Sequence, residues 1–98
     1  MAEIVWTEPA LNDLDNIAEY IAVSNLVAAK KLVKEVFPKV DILEEYPKSG
    51  KSVSELPSLN YRELYVKPCR IFYKFEDNKA FTLHVMRQEQ DLRRFLLD

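Results

Sequence analysis

Apolar residues change their period along this chain, and each change marks an element. Residues 3–7 (Glu-Ile-Val-Trp-Thr) are short, β-branched and aromatic, which predicts a strand. From Ala10 the period becomes helical: Ala10, Leu14, Ile17, Ala18 and Ile21 fall on one face. Thr7 precedes this stripe as a cap and Pro9 fits the first turn, where a missing N–H costs nothing. Glu8, Asp13 and Asp15 place negative charge near the positive end of the helix dipole. Ser24-Asn25 interrupts the stripe and can cap a second helix carrying Ala29, Leu32, Val33, Val36, Val40 and Leu43 to about Tyr46. The short break predicts an antiparallel hairpin. Pro38 lies inside the second stripe and predicts a kink or a break, because an interior proline removes a hydrogen bond.

The period shortens to two in the second half. Pro47-Lys48-Ser49-Gly50 reads as a turn in which the only glycine meets a positive φ, and residues 51–58 read as a loop. Strands are predicted at 59–66, 70–76 and 80–87, with Ile71/Tyr73/Phe75 and Phe81/Leu83/Val85 marking one buried face. Asp77-Asn78-Lys79 has the chemistry of a hairpin turn, and Lys67-Pro68-Cys69 joins the other pair of strands. Leu92, Phe95 and Leu96 fit a short C-terminal helix. The expected architecture is α+β: one domain over residues 1–98, with an N-terminal strand and a two-helix hairpin packed on an antiparallel sheet of three to four strands. The other face of that sheet is left open or covered by a partner.

Composition narrows the function classes. Hydrophobic residues make up 48% and charged residues 31% of 98 positions, which is globular rather than disordered. Apolar runs reach only four residues, as at Leu26-Val27-Ala28-Ala29, too short for a membrane span, and no signal peptide is visible. A lone Cys69 and a single His84 provide no disulfide and no metal cluster, so a cytoplasmic chain without metal or cofactor is expected. The net charge of −2 hides an asymmetry: all five arginines lie between Arg62 and Arg94, and no basic residue precedes Lys30. A general phosphate-binding coat is disfavoured, and no sequence-specific DNA binding by the chain alone is expected. An Arg-lined patch on the C-terminal half remains open.

The ordered pieces Val5-Trp6-Thr7, Asp13-Leu14, Tyr20-Ile21, Ala28-Ala29, Pro47 with Gly50, Tyr61-Arg62-Glu63-Leu64, Arg70-Ile71-Phe72-Tyr73 and Val85-Met86-Arg87 resemble the RelE/ParE superfamily of bacterial type II toxins, the ParE branch most closely. The resemblance spans nearly the whole chain and implies the same helix hairpin on a sheet. It implies a toxin neutralised by a cognate antitoxin encoded beside it, of the kind linked to plasmid stabilisation. ParE-like members are associated with DNA gyrase inhibition, and RelE-like members with mRNA cleavage on the ribosome.

The two targets ask for different residues. Cleavage by a 2′-hydroxyl needs a proton acceptor, a donor and positive charge on the phosphorane. Tyr73 and His84 are the proton-transfer candidates for it. Against it, Arg87 stands where many relatives carry His, and no tyrosine follows Tyr73. Inhibition by binding needs only anchoring contacts, often arginine and aromatic. The candidates are Arg62, Arg70, Arg87, Arg93, Arg94 and Phe95, and no catalytic residue is assigned. Each has a structural alternative: Arg62 can pair with a carboxylate across the sheet, and the tail can cap the protein's own sheet. Cys69 has no activating base in view, and Trp6, Tyr61, Tyr65 and Tyr73 suit packing.

Overall fold

A computed structural model describes residues 1–90 and 92 of the protein. The chain runs β1 (Glu3–Trp6), α1 (Glu8–Ala22), α2 (Leu26–Asp41), a single 3-10 turn (Ile42–Glu44), β2 (Lys51–Ser52), β3 (Arg62–Val66), β4 (Cys69–Glu76) and β5 (Lys79–Arg87). Both caps are where local chemistry puts them. The Thr7 hydroxyl accepts from Ala10 N at 3.4 Å, and Asn25 Oδ1 accepts from Ala28 N at 3.0 Å. Pro38 does not break α2, which continues to Asp41. An interior proline, which removes one hydrogen bond and crowds the preceding turn, costs about 3 kcal/mol. Val36 and Val40 on either side of Pro38 are wholly buried, and that burial holds the turn helical.

The sheet has five strands in the order β1-β5-β4-β3-β2. It is mixed rather than purely antiparallel, because β1 returns beside β5 in parallel, Glu3 opposite Lys79 and Trp6 opposite Thr82. The fifth strand is β2, read from sequence as loop; its two residues pair with Arg62 and Glu63. Asp77 and Asn78 both have positive φ (53° and 59°), the backbone that a two-residue hairpin turn requires. Gly50 does not have positive φ. Its need for glycine is spatial: a Cβ there would lie 2.6 Å from the Tyr73 ring and 2.8 Å from the Glu63 carbonyl oxygen.

One irregularity resets the faces. Phe72 pairs with His84 but Tyr73 with Thr82, so Leu83 is an extra residue in β5. The expected stripe Phe81/Leu83/Val85 is therefore split. Ala80, Thr82 and Val85 are the buried members, while Phe81 and Leu83 are only partly covered. Thr7 anchors this point, its hydroxyl donating to the Thr82 carbonyl at 2.6 Å. The helix hairpin covers one face, where Leu14, Ile17, Leu32, Val36 and Val40 meet Leu64, Ile71, Tyr73 and Val85. On the opposite face a smaller cluster of Val53, Phe72, Met86 and Leu92, with Leu56 and Tyr61 against it, is roofed by the segment 53–61. The outer face is thus partly covered by the chain itself. The C-terminal helix expected beyond Leu92, with Phe95 and Leu96, lies outside the described residues.

Candidate functional site

The three described arginine candidates do not form one patch. In the sheet register Arg62 lies opposite Tyr73, and Arg87 opposite Cys69, at opposite ends of the helix-covered face. Arg70 lies between Tyr65 and Met86 and points to the outer face. Each has a distinct set of partners.

Arg70 is held in a clamp. Its Nη1 and Nη2 donate to Glu55 at 2.7 and 2.8 Å, and its Nε and Nη2 donate to Glu63 at 2.9 and 2.8 Å. The guanidinium also lies 4.9 Å from the Phe72 ring centroid. Two fork-on-carboxylate contacts are the strongest geometry available to an arginine. They hold the Glu55 carboxyl down to about 2 and raise Arg70 itself, in both cases through the shared hydrogen bonds first. Glu63 is buried at 6% exposure. The clamp therefore pins the segment 53–61 to the sheet, and Glu55 in that segment and Glu63 on β3 are residues to which sequence reasoning gave no role.

Arg62 and Tyr73 work together on the turn at 47–50. Arg62 Nη1 donates to the carbonyls of Gly50 at 2.7 Å and Lys48 at 3.1 Å, so its partners are backbone oxygens rather than a carboxylate. The Tyr73 hydroxyl donates to the Pro47 carbonyl at 2.9 Å and accepts from Gly50 N at 2.9 Å. Tyr73 is wholly buried, and burial raises its pKa. Arg87 stacks on Tyr20 of α1 with its guanidinium carbon 4.2 Å from the ring centroid, and it pairs with Glu89 at 3.1 Å. His84 Nδ1 is 3.1 Å from Asp13 Oδ2, which also accepts from Val85 N at 3.1 Å. Tyr73 and His84 lie on opposite faces of the sheet, since His84 pairs with Phe72 and Tyr73 with Thr82. Cys69 is buried, and burial pushes its thiol up to about 11. Arg93, Arg94 and Phe95 lie outside the described residues.

The outer face carries an apolar groove of about 570 Å³. Leu56, Leu59 and Tyr61 of the roof, Phe72 and Leu83 of the sheet, and Leu92 line it, and His84 adds a polar group. Among the described residues, no three His, Cys, Asp or Glu side chains converge on a common metal position. No described helix is long and apolar enough to cross a membrane.

A capped helix hairpin on one face of a five-stranded sheet is the architecture of a small α+β toxin of the RelE/ParE superfamily. The family described as the ParE toxin of the type II toxin-antitoxin system, parDE, matches residues 4–92, and the chain belongs to that family. The toxin RelE2 of Caulobacter vibrioides is 38% identical over 68 residues, covering 69% of this chain and 73% of that one. A solved structure of the chromosomal ParDE toxin-antitoxin system from P. aeruginosa superimposes with a TM-score of 0.77 at 25% identity, covering 91% of this chain and 98% of that one. The toxin-antitoxin complex RelBE2 from Mycobacterium tuberculosis shares the fold, with a TM-score of 0.54 at 18% identity over 88% of this chain and 96% of that one.

Proposed function

We propose that this toxin acts in the cytoplasm by binding DNA gyrase rather than by cutting RNA, and that a cognate antitoxin neutralises it. The observation that carries the choice is Tyr73. Proton transfer to a substrate needs a group within hydrogen-bond reach of it. The Tyr73 hydroxyl is buried and holds the turn at 47–50 through Pro47 and Gly50, on the face of the sheet opposite His84. Inhibition by binding makes no such demand. Membership of the ParE family supports the same target.

The antitoxin is proposed to lay an apolar, acidic segment along the outer groove. Leu92 lines that groove, and Arg93, Arg94 and Phe95, which follow it directly in the sequence, supply the charge and ring that suit such a segment. Arg87 is the candidate for gyrase contact, being part exposed beside Tyr20. Arg62 and Arg70 are proposed to act on that contact only through the turn and the roof they hold.

Likeness to the toxin RelE2 favours one second reading, a ribosome-dependent mRNA endonuclease using Tyr73 and His84. Induced expression without antitoxin separates the two. Thymidine incorporation falling before methionine incorporation, with loss of supercoiling by purified gyrase, is the expected result. Methionine incorporation falling first, and rescued by Tyr73→Phe or His84→Ala with the fold intact, would establish the endonuclease instead. A soluble chain that slows neither would be an antitoxin-binding relative without toxicity.

A further inference from the structure

The helix hairpin carries a second apolar surface, on the side turned away from the sheet. A groove of about 580 Å³ runs between α1 and α2, with Ala18, Ala22 and Ala29 as its floor and Leu26 and Val33 beside them. Leu26 is 56% and Val33 36% exposed, and Leu11 and Phe37, nearer the far end of the same helices, are 42% and 37% exposed. A helix normally buries such a stripe and presents polar residues opposite. Here each helix has a core stripe facing the sheet and a second one flanking the groove.

The charges beside the groove are sorted by helix. Glu19 on α1 and Lys30 and Lys34 on α2 line it, and Asp15 lies one turn from Glu19 on the same side of α1. Among the described residues none of these four side chains makes an ion pair within the chain, whereas neighbouring Lys31 pairs with Glu35 at 4.0 Å. Glu19 and Lys30 are equally distant from the Ser24-Asn25 turn, and so are Asp15 and Lys34. In an antiparallel hairpin, equal distance from the turn means equal height along the groove.

That arrangement is complementary to itself. A two-fold axis running along the groove sets α1 of one copy against α2 of the other, antiparallel, with Glu19 facing Lys30 and Asp15 facing Lys34 twice over. The alanine floor lets the helix pairs approach closely, and Leu26 and Val33 fill the seam as in a four-helix bundle. We propose that the outer face of the hairpin docks a second copy of this chain, forming a symmetric four-helix dimer. This inference rests on the hairpin surface alone and is independent of toxicity, target and antitoxin.

Sedimentation equilibrium of the purified full chain tests it. The expected result is a reversible dimer. Each substitution enters a symmetric interface twice, so Glu19→Lys or Lys30→Glu alone should weaken association by about tenfold or more. The combined Glu19→Lys/Lys30→Glu chain should recover most of it, because the pair is restored with its sign reversed. Val33→Glu should give a monomer. If Val33→Glu fails to fold, the exposed charge reversals still decide the matter, since neither residue contributes to the core. A monomer at every concentration overturns the proposal, even if the groove then binds a helix of another protein. A dimer indifferent to the reversals, or one that the double reversal does not restore, overturns it as well.

Discussion

Arg70 and Ile71 are neighbours on β4 and look out on different solvents. Ile71 faces the hairpin, wholly buried with Leu32, Val36 and Val85 in a cluster without a charge. Arg70 faces a roof with no regular structure, held by two carboxylates over four apolar residues. The helix side is closed by apolar area, which is non-directional and carries no charged group. The outer side buries a smaller apolar cluster and adds an ionic clamp. A clamp is stronger for its size but conditional on charge. A small toxin domain that must be recognised by other proteins thus keeps one face permanently shut and the other conditionally shut.

The most damaging substitutions should fall on these two neighbours and cost similar amounts for unlike reasons. Ile71→Ala leaves a cavity at a fully buried site and should cost about 3 to 4 kcal/mol. Arg70→Met strands Glu63 in the sheet without its partner and should cost about 3 kcal/mol. Urea denaturation at pH 7 and at pH 2 distinguishes them. The Ile71→Ala loss should stay constant. The Arg70→Met loss should shrink as the pH falls from about 4.5 through about 2, because Glu55, held down to about 2 by its hydrogen bonds to Arg70, then loses its charge. Equal behaviour of the two variants would break the comparison.

Gly50 sits against Tyr73 and the backbone of β3, and substituting it should have the next largest effect. Alanine there meets the Tyr73 ring and hydroxyl at 2.6 Å and the Glu63 backbone at 2.8 Å. Both neighbours are fixed, Tyr73 by burial and the Glu63 carbonyl by its strand, so neither can give way cheaply. Gly50→Ala should cost about 2 to 3 kcal/mol, as overpacking in a closed site does. Tyr73→Phe, which orphans the buried Gly50 N–H, should cost about 1 to 2 kcal/mol. In Gly50→Ala/Tyr73→Phe the two losses should fall short of their sum, since one hydroxyl is removed from both the clash and the hydrogen bond. Full additivity in thermal or urea unfolding would show that the turn is not gripped through Tyr73.

How far the sequence discloses this molecule depends on the range of the interaction. The Thr7 and Asn25 caps, the hairpin turn at Asp77-Asn78 and most of each helix's core stripe were readable because each is decided within a few residues, while Ala18 and Val33, read into those stripes, line the groove between α1 and α2 instead. The bulge at Leu83 was not, because nothing local distinguishes an extra strand residue from an alternating one; Thr7, far away in the chain, holds it. Gly50 was read as a glycine needing unusual backbone when its need is for room beside Tyr73. β2 is two residues long and exists only because Arg62 and Glu63 lie beside it. The site followed the same rule. The arginines stood out by composition, but Glu55 and Glu63 could be matched to Arg70 only once the loop was laid over the sheet.

The smallest expected effect is also the one that isolates the clamp. The folded-state pKa of Glu55 is lowered from the ordinary 4.5 to about 2, first of all by its hydrogen bonds to Arg70. A carboxyl held below its unfolded value stabilises the fold above that value. Its contribution is therefore complete above about pH 4.5 and is lost as the pH falls through about 2. The Glu55 side chain is 30% exposed, so water and salt screen the pair, and its worth is about 1 kcal/mol rather than the full value of the shift. The stability difference between wild type and Glu55→Gln should thus be about 1 kcal/mol at pH 6 and close to zero at pH 2. A carbon-detected NMR titration of the Glu55 carboxyl should give a midpoint near 2. A midpoint near 4.5, with a stability difference flat across the range, would mean that the roof over Phe72 and Met86 rests on apolar contact alone. The two faces of the sheet would then differ in area but not in kind.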